Sequence, residues 1–448
     1  MAKQKIRYEC TNCGYDSPKW MGICPSCSEW HTFEEVKETK KSNKKHKVEI
    51  GEDGETDKAV LLSEVESKEH DRRSTGIAEL DRVLGGGIVK GAFLLLGGDP
   101  GIGKSTLMLE LAKSKPNWKI LYIAGEESPS QIKQRAARLN LAGDQLYIFS
   151  NSNIDAVINQ ARRIKPELLV VDSIQTAYSS DLTSLPGSVQ QVRECSAMLQ
   201  QLSKKEGITT LMIGHVTKEG DIAGPRILEH MVDTVLHFEG NQSQVHRLLR
   251  SVKNRFGPAQ EVGVFEMKHD GLYEVSNPSE LFLSDLDTTV SGNCVTCIME
   301  GSRPILVEVQ ALVTASTYSS PQRTANGFDQ RRLSLLIAVL EKRAGVSFAG
   351  QDVYLNIAGG LKISDPSADL AVIAALSSSI KDHPIRKKAI FLGEVGLGGE
   401  IRGIRFREQR IREAEKMGLK SVVAPPAERS IDTSIEVIER TYISQIDK

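Results

Sequence analysis

The run Gly98-Asp99-Pro100-Gly101-Ile102-Gly103-Lys104-Ser105 fits the pattern GxxxxGK[ST], and Thr106 follows it. An apolar stretch, AFLLLG from Ala92, stands before the run, and an amphipathic one, STLMLELAK from Ser105, stands behind it. A strand, a glycine-rich turn and a helix in that order let backbone N–H groups curl around phosphate, with the positive end of the helix dipole behind them. Lys104 adds a cation for the β and γ phosphates, and Ser105 adds a hydroxyl for Mg²⁺. The expected nucleotide contacts are therefore Gly98, Asp99, Pro100, Gly101, Ile102, Gly103, Lys104, Ser105 and Thr106, with ATP and Mg²⁺ as ligands.

Outward from this run, apolar stretches alternate with helical ones: KILYIAG then PSQIKQRAARL, ELLVVDS, and later TTLMIG and TVLHF. That alternation predicts an α/β domain over residues 71–275, a parallel sheet covered on both faces. Leu168-Leu169-Val170-Val171-Asp172 ends a buried strand on a carboxylate, where Asp172 can order Mg²⁺ through water. Hydrolysis also needs a group that orients or deprotonates water. Glu126 and Glu127 follow KILYIAG, and Glu126, directly after the strand-ending Gly125, is the favoured residue; capping of the next helix is the alternative for either.

At the N-terminus, Cys10-x2-Cys13 and Cys24-x2-Cys27 form two pairs separated by ten residues. Four thiolates at this spacing suit tetrahedral Zn²⁺, and residues 1–36 have too little apolar content to fold without such a staple; disulfides are the alternative. Trp20 and Trp30, near Lys19, can stack on bases or pack on the finger. Residues 37–70 open as KETKKSNKKHKVEIGEDGETDK, basic then acidic, and read as a charged linker whose lysines are solvated or touch phosphates. A turn-rich SNPSELFLSD, residues 276–285, separates the ATPase from a further α/β domain at 286–448. Cys294-x2-Cys297 is a lone pair within a strand-like stretch and reads as structural.

The chain has 448 residues, enough for two or three domains. Its 57 basic and 58 acidic side chains leave a net charge of -1, so no global field draws in nucleic acid or membrane and any DNA site must be local. No apolar run approaches the roughly 18 residues of a membrane helix, and the first residues carry no apolar signal core. A cytoplasmic protein with no membrane partner is expected.

The motor half resembles RecA-type ATPases. With Lys253-Asn254-Arg255-Phe256-Gly257, the four-cysteine finger and the C-terminal domain, the chain resembles the bacterial RadA (Sms) family of DNA-repair proteins over essentially its whole length. That resemblance implies an ATP hydrolase working as a helicase-like motor in recombinational repair and the DNA-damage stress response. It further implies single-stranded and branched DNA as substrates, branch migration or strand translocation, a recombinase partner of RecA type, and a homo-oligomeric ring, a hexamer like the DnaB-type helicases. Lys253 and Arg255 stand two residues apart after the strand-like VHRLLRSV and can project on one face; a basic edge-strand patch is the alternative. Arginine suits neutralisation of the γ-phosphate from a neighbouring subunit, so both count as catalytic candidates beside Lys104 and Glu126. His215 resembles the polar switch residue of the fold. Lys218 and Arg226, with the stretch Tyr178 to Gly187, are the DNA-loop candidates.

The C-terminal domain resembles the proteolytic domain of Lon. Asp365-Pro366-Ser367-Ala368-Asp369 puts Ser367 in the place of the nucleophile, but alignment from Gly393-Glu394-Val395 puts Glu408 where the catalytic lysine would stand, beside Arg405 and Arg407, which cannot lose a proton. A serine without a base is a poor nucleophile, so a scaffold that has lost proteolysis is expected. Its helix RFREQRIREAEK is either a DNA-facing surface or a solvated helix laced with ion pairs. Two rival functions remain: an ATP-dependent peptidase of Lon type, and a RecA-like ATP switch without motor activity.

Overall fold

A computed structural model describes residues 6–10, 15–25, 29–37, 61, 71–214, 227–240, 245–283, 290–317, 320–385, 388–427, 429 and 431–446. Cys13, Cys27, His215, Lys218, Arg226 and all of the 37–70 linker except Lys37 and Leu61 lie outside these residues. The chain divides into one unit of Met1–Gln242, Leu249–Ala259 and Met267–Leu272, and a second of Ser243–Leu248, Gln260–Glu266 and Tyr273–Lys448. The second unit thus begins near residue 273 but also takes in two short upstream segments, of which Leu248 packs against its core.

In the first unit, β1 (Ile6–Cys10), β2 (Asp16–Ser17) and β3 (Phe33–Lys37) pair antiparallel in the order β2-β1-β3. Cys10, Cys24 and Phe33 form their small buried cluster.

The ATPase begins with β4 (Arg72–Arg73), α1 (Ala78–Leu84) and β5 (Ile88–Val89). It continues through β6 (Phe93–Gly98), α2 (Lys104–Ser114), β7 (Ile120–Ala124), α3 (Pro129–Arg138), β8 (Leu146–Phe149), α4 (Ile154–Ile164) and β9 (Leu168–Asp172). Then come α5 (Val189–Glu206), β10 (Thr209–Ile213), α6 (Ile227–Met231), β11 (Thr234–Glu239), β12 (His246–Asn254), β13 (Val262–Lys268) and β14 (Gly271–Glu274). The sheet order is β14-β13-β12-β11-β6-β10-β9-β7-β8, and the pairs among β11, β6, β10, β9, β7 and β8 are parallel. Strands β6, β7, β9 and β10 are buried along their whole length, which is why they read as continuous apolar runs rather than alternating ones. Helix α3 starts on a capping box between Ser128 and Gln131 with Pro129 in its first turn. Helix α4, capped by Asn153, buries Ile154, Val157, Ile158 and Ala161, a spacing that lays one face on the sheet.

The second unit holds α7 (Pro278–Phe282), β15 (Asn293–Glu300), β16 (Arg303–Ala315), β17 (Arg323–Asn326), α8 (Gln330–Val339), β18 (Gln351–Ile357) and α9 (Asp369–Lys381). After these come β19 (Ala389–Phe391), β20 (Glu394–Val395), β21 (Ile401–Arg402), α10 (Arg407–Lys416), β22 (Ser421–Ala424) and β23 (Glu436–Glu439). Its main sheet runs β17-β18-β16-β15-β19-β22-β23. Residues Asp369 to Ser378 of α9 are all buried, the mark of a helix at the centre of a core. A short 3₁₀ turn, Pro366–Ala368, leads into it and carries Ser367. No helix among the described residues is long and apolar enough to cross a membrane.

Candidate active site

Strand β6 delivers the glycine-rich turn to the start of α2. Gly103, the residue before that helix, has φ 118°, a backbone conformation that glycine adopts freely and a residue with a Cβ adopts only under strain. As the N-cap it offers no side-chain acceptor, which leaves the first-turn N–H groups of α2 for a ligand. The turn borders a cavity of about 400 Å³ lined by Pro100, Gly101, Gly103, Lys104, Ser105, Thr106 and Asp172, together with Tyr122, Glu126, Glu127, Arg135 and Arg138. Gly98 and Asp99 take part through their carbonyls, which accept from Lys104 Nζ at 2.7 and 2.8 Å. Ile102 is buried and does not line the cavity. Burial pushes the Lys104 amine below the ordinary lysine range, against the pull of Asp172, Glu126 and Asp99.

Parallel pairing of β7 with β9 sets Ala124 opposite Asp172 and brings the two acidic strand ends together. Ser105 Oγ donates to Asp172 Oδ2 at 2.7 Å, and the Tyr122 hydroxyl donates to the same oxygen. Burial, then the charge of Asp172, pushes the Tyr122 phenol far above its usual range, so it stays protonated and acts as a donor. These hard oxygen groups fit Mg²⁺. Ser173 Oγ donates to Glu126 Oε1 at 2.5 Å, whereas Glu127 is held by Arg135 of α3. The two neighbouring glutamates therefore differ: both border the cavity, but Glu127 is engaged by a cation and Glu126 accepts from the Ser173 hydroxyl. Tyr122, Ser173, Arg135 and Arg138 were not candidates from sequence. The only signal for Tyr122 is one polar residue within the otherwise apolar ILYIA.

Lys253 and Arg255 do not line this cavity. Lys253 Nζ donates to the carbonyls of Glu229 (2.6 Å) and His230 (3.5 Å), and burial followed by the Arg255 charge pushes its amine below the usual range. The backbone N–H of Arg255 donates to Asp233 O at 3.0 Å, and Asp233 N donates to Phe93 O at 2.8 Å. Asp233 is buried and also accepts from Phe93 N at 3.0 Å, Lys204 Nζ at 2.6 Å and Arg255 Nη1 at 3.4 Å. Arg255 is thereby anchored beside the first residue of β6, while the phosphate turn lies beyond the last. The loop candidate Tyr178 to Gly187 is braced by the buried Gln191, which bonds Ser179 N and O and Ser184 O.

In the N-terminal module, Cys10 and Cys24 are buried and share one cluster, a donor pair that fits half of a four-thiolate site; Cys13 and Cys27 lie outside the described residues. Trp20 and Trp30 are both more than half exposed, with the His31 ring 6.2 Å from each. Cys294 and Cys297 are buried in β15, where burial raises both thiol pKa values.

Around Ser367 the structure corrects the alignment. Glu408 is exposed and pairs with Arg412; the side chain that meets Ser367 is Arg410, two residues on. Two residues are more than half a helical turn, so the slip moves the assignment to the other side of α10. Arg410 is 2% exposed; its Nη1 donates to Ser367 Oγ at 2.7 Å and to Cys297 O, its Nη2 to Asp365 Oδ2 at 2.7 Å, and its Nε to Arg405 O at 3.0 Å. On the other flank Asp369 is gripped by Arg332 through both carboxylate oxygens. Burial pushes the Asp365 carboxyl up, but Arg410 and the N–H groups of Met299 and Ser367 outweigh it and hold it below the usual range.

The sequence matches three family models: a rubredoxin metal binding domain at residues 8–35, an AAA domain at 62–221, and subunit ChlI of Mg-chelatase at 321–428. It is 49% identical to the DNA repair protein RadA of Listeria monocytogenes over 95% of this chain and 93% of that one. It is 48% identical to the DNA repair protein RadA of Bacillus subtilis over 95% and 94%. A solved structure, that of the RadB recombinase, is similar at TM-score 0.37 and 23% identity, over 45% of this chain and 99% of that one.

Proposed function

This chain belongs to the RadA family of DNA repair proteins, with a RecA-like ATPase core, a zinc ribbon and a Lon-like C-terminal domain, and we propose that ATP hydrolysis in it drives movement along single-stranded and branched DNA. In this reading the phosphates of ATP sit in the N–H groups of the Gly98–Gly103 turn with Lys104 turned onto them. Ser105 and Asp172 would hold Mg²⁺, which when bound neutralises charge on the phosphates. Glu126 orients the attacking water, held by Ser173 while Glu127 is engaged by Arg135. Cys10, Cys13, Cys24 and Cys27 would hold Zn²⁺, which when bound staples the ribbon.

The observation that carries the motor reading is the position of Arg255. It is anchored at the start of β6, one strand length from its own phosphate turn, and its side chain is about half exposed. An arginine so placed serves a neighbour's γ-phosphate rather than its own, and hydrolysis that needs a neighbour is coupled to assembly. A ring, which we take to be a hexamer, supplies that neighbour. Branch migration of recombination intermediates, alongside a RecA-type recombinase, is the task this motor suits.

The Lon-like domain serves as a scaffold. A guanidinium that cannot accept a proton occupies the place beside Ser367 where a base is needed. Measurement of ATP turnover with and without single-stranded DNA tests the reading: strong stimulation is expected, and DNA-indifferent turnover would favour a simple ATP switch. ATP-dependent digestion of casein would instead favour the peptidase.

A further inference from the structure

We propose that Tyr122 is a positioning residue for the metal-facing acid: its hydroxyl holds the Asp172 carboxylate in the setting at which Ser105 meets it, so the oxygen pair exists before the metal arrives. The inference rests on the reading of Ser105 and Asp172 given above.

Strand β7 is buried from end to end, and four of its five residues, Ile120, Leu121, Ile123 and Ala124, are apolar. Tyr122 is 3% exposed, and its register partner on β9 is Val170. Phenylalanine would pack there equally well, and a buried phenol demands a hydrogen-bond partner that phenylalanine does not. Its partner is Asp172 Oδ2, the oxygen that already accepts from Ser105. A carboxylate oxygen fixed by two donors has already given up the freedom that a loose ligand surrenders on binding metal, which is how outer hydrogen bonds tune metal affinity.

The adjoining pair runs the opposite way across the same two strands. Ser173, after β9, donates to Glu126, after β7. Tyr122 therefore bears on the metal side of the site and Ser173 on the water side, and the two should fail differently when removed.

The experiment titrates Mg²⁺ into the full-length protein with a fluorescent ADP analogue and reads nucleotide affinity. For Tyr122→Phe, the Mg²⁺ concentration giving half of the affinity gain should rise on the order of 10-fold, the scale of a lost partner to a metal ligand, with metal-free binding unchanged. In an Asp172→Asn background the same change should add nothing. Ser173→Ala should keep the wild-type Mg²⁺ requirement while slowing turnover. A wild-type Mg²⁺ requirement in Tyr122→Phe, an undiminished effect in the Asp172→Asn background, or an equal loss of metal-free binding would each overturn the proposal. Tyr122→Leu gives a second variant with the hydroxyl removed. The wild-type titration is read first: no Mg²⁺-dependent nucleotide binding there would overturn the nucleotide-site reading itself, a failure distinct from that of Tyr122.

Discussion

Replacing Arg255 with alanine tests whether hydrolysis is shared between subunits. Strand β6 runs from Phe93 to Gly98, and at about 3.3 Å per residue it separates the two ends by about 16 Å. The backbone of Arg255 is tied to the Phe93 end through Asp233, so its side chain cannot span the strand to its own phosphates. Losing an arginine that neutralises transition-state charge costs roughly 10³-fold or more in turnover, about 4 kcal/mol of barrier. Arg255→Ala should therefore bind ATP and assemble but release almost no phosphate with single-stranded DNA present. Lys104→Ala should be equally inactive, for a different reason. When the two are mixed equally, half of the P-loops are intact and half of their neighbours carry the arginine, so about one site in four should recover. Phosphate release from the mixture, with mixed oligomers verified by differential tagging, measures this. Mixed oligomers that form and recover nothing would refute the reasoning and place the arginine's action within its own subunit or on DNA.

Glu126→Gln should still bind ATP and stop before cleavage, seen as bound nucleotide that stays uncleaved; normal hydrolysis would pass the role to another group. Cys24→Ala should lower zinc from one ion per chain, read by elemental analysis, while nucleotide binding persists; unchanged zinc would contradict the four-thiolate site. Asp365 has a depressed folded pKa, so its stabilisation is present at neutral pH and lost as the pH falls through that value, below the ordinary aspartate range. Arg410→Met should cost roughly 3 kcal/mol at neutral pH by leaving Asp365 half-buried without its cation, and should remove the acid-side loss, both read from thermal unfolding against pH. Ser367→Ala should leave ATP turnover and DNA handling unchanged, whereas loss of an ATP-dependent peptidase on that substitution would defeat the scaffold reading.

The parts of this protein legible along the chain are the local ones. The phosphate turn is one contiguous run, with Gly103 at a left-handed φ before α2. The buried strands announce themselves as apolar runs because both faces are covered, and Asp172 and Glu126 are legible as the acids that follow them. The edge strand β8 is short and half-buried, so no continuous apolar run marks it, whereas α4 does carry a helical signal in the spacing of Ile154, Val157, Ile158 and Ala161, with Asn159 and Gln160 on its outer face. Pairings between distant residues emerge only on folding. Register between β7 and β9 joins Tyr122 to Asp172 and Ser173 to Glu126, some 50 positions apart in the chain. Both Glu126 and Glu127 border the phosphate cavity, and the winding of α3 brings Arg135 back onto Glu127. In α10 a two-residue slip in alignment exchanges Glu408 for Arg410, because side chains that far apart on a helix point to opposite sides. Backbone preference and hydrophobic period act within a few residues and so can be read along the chain. Hydrogen bonds between side chains on different elements depend on how sheets align and helices rotate, and that is settled only when the core packs.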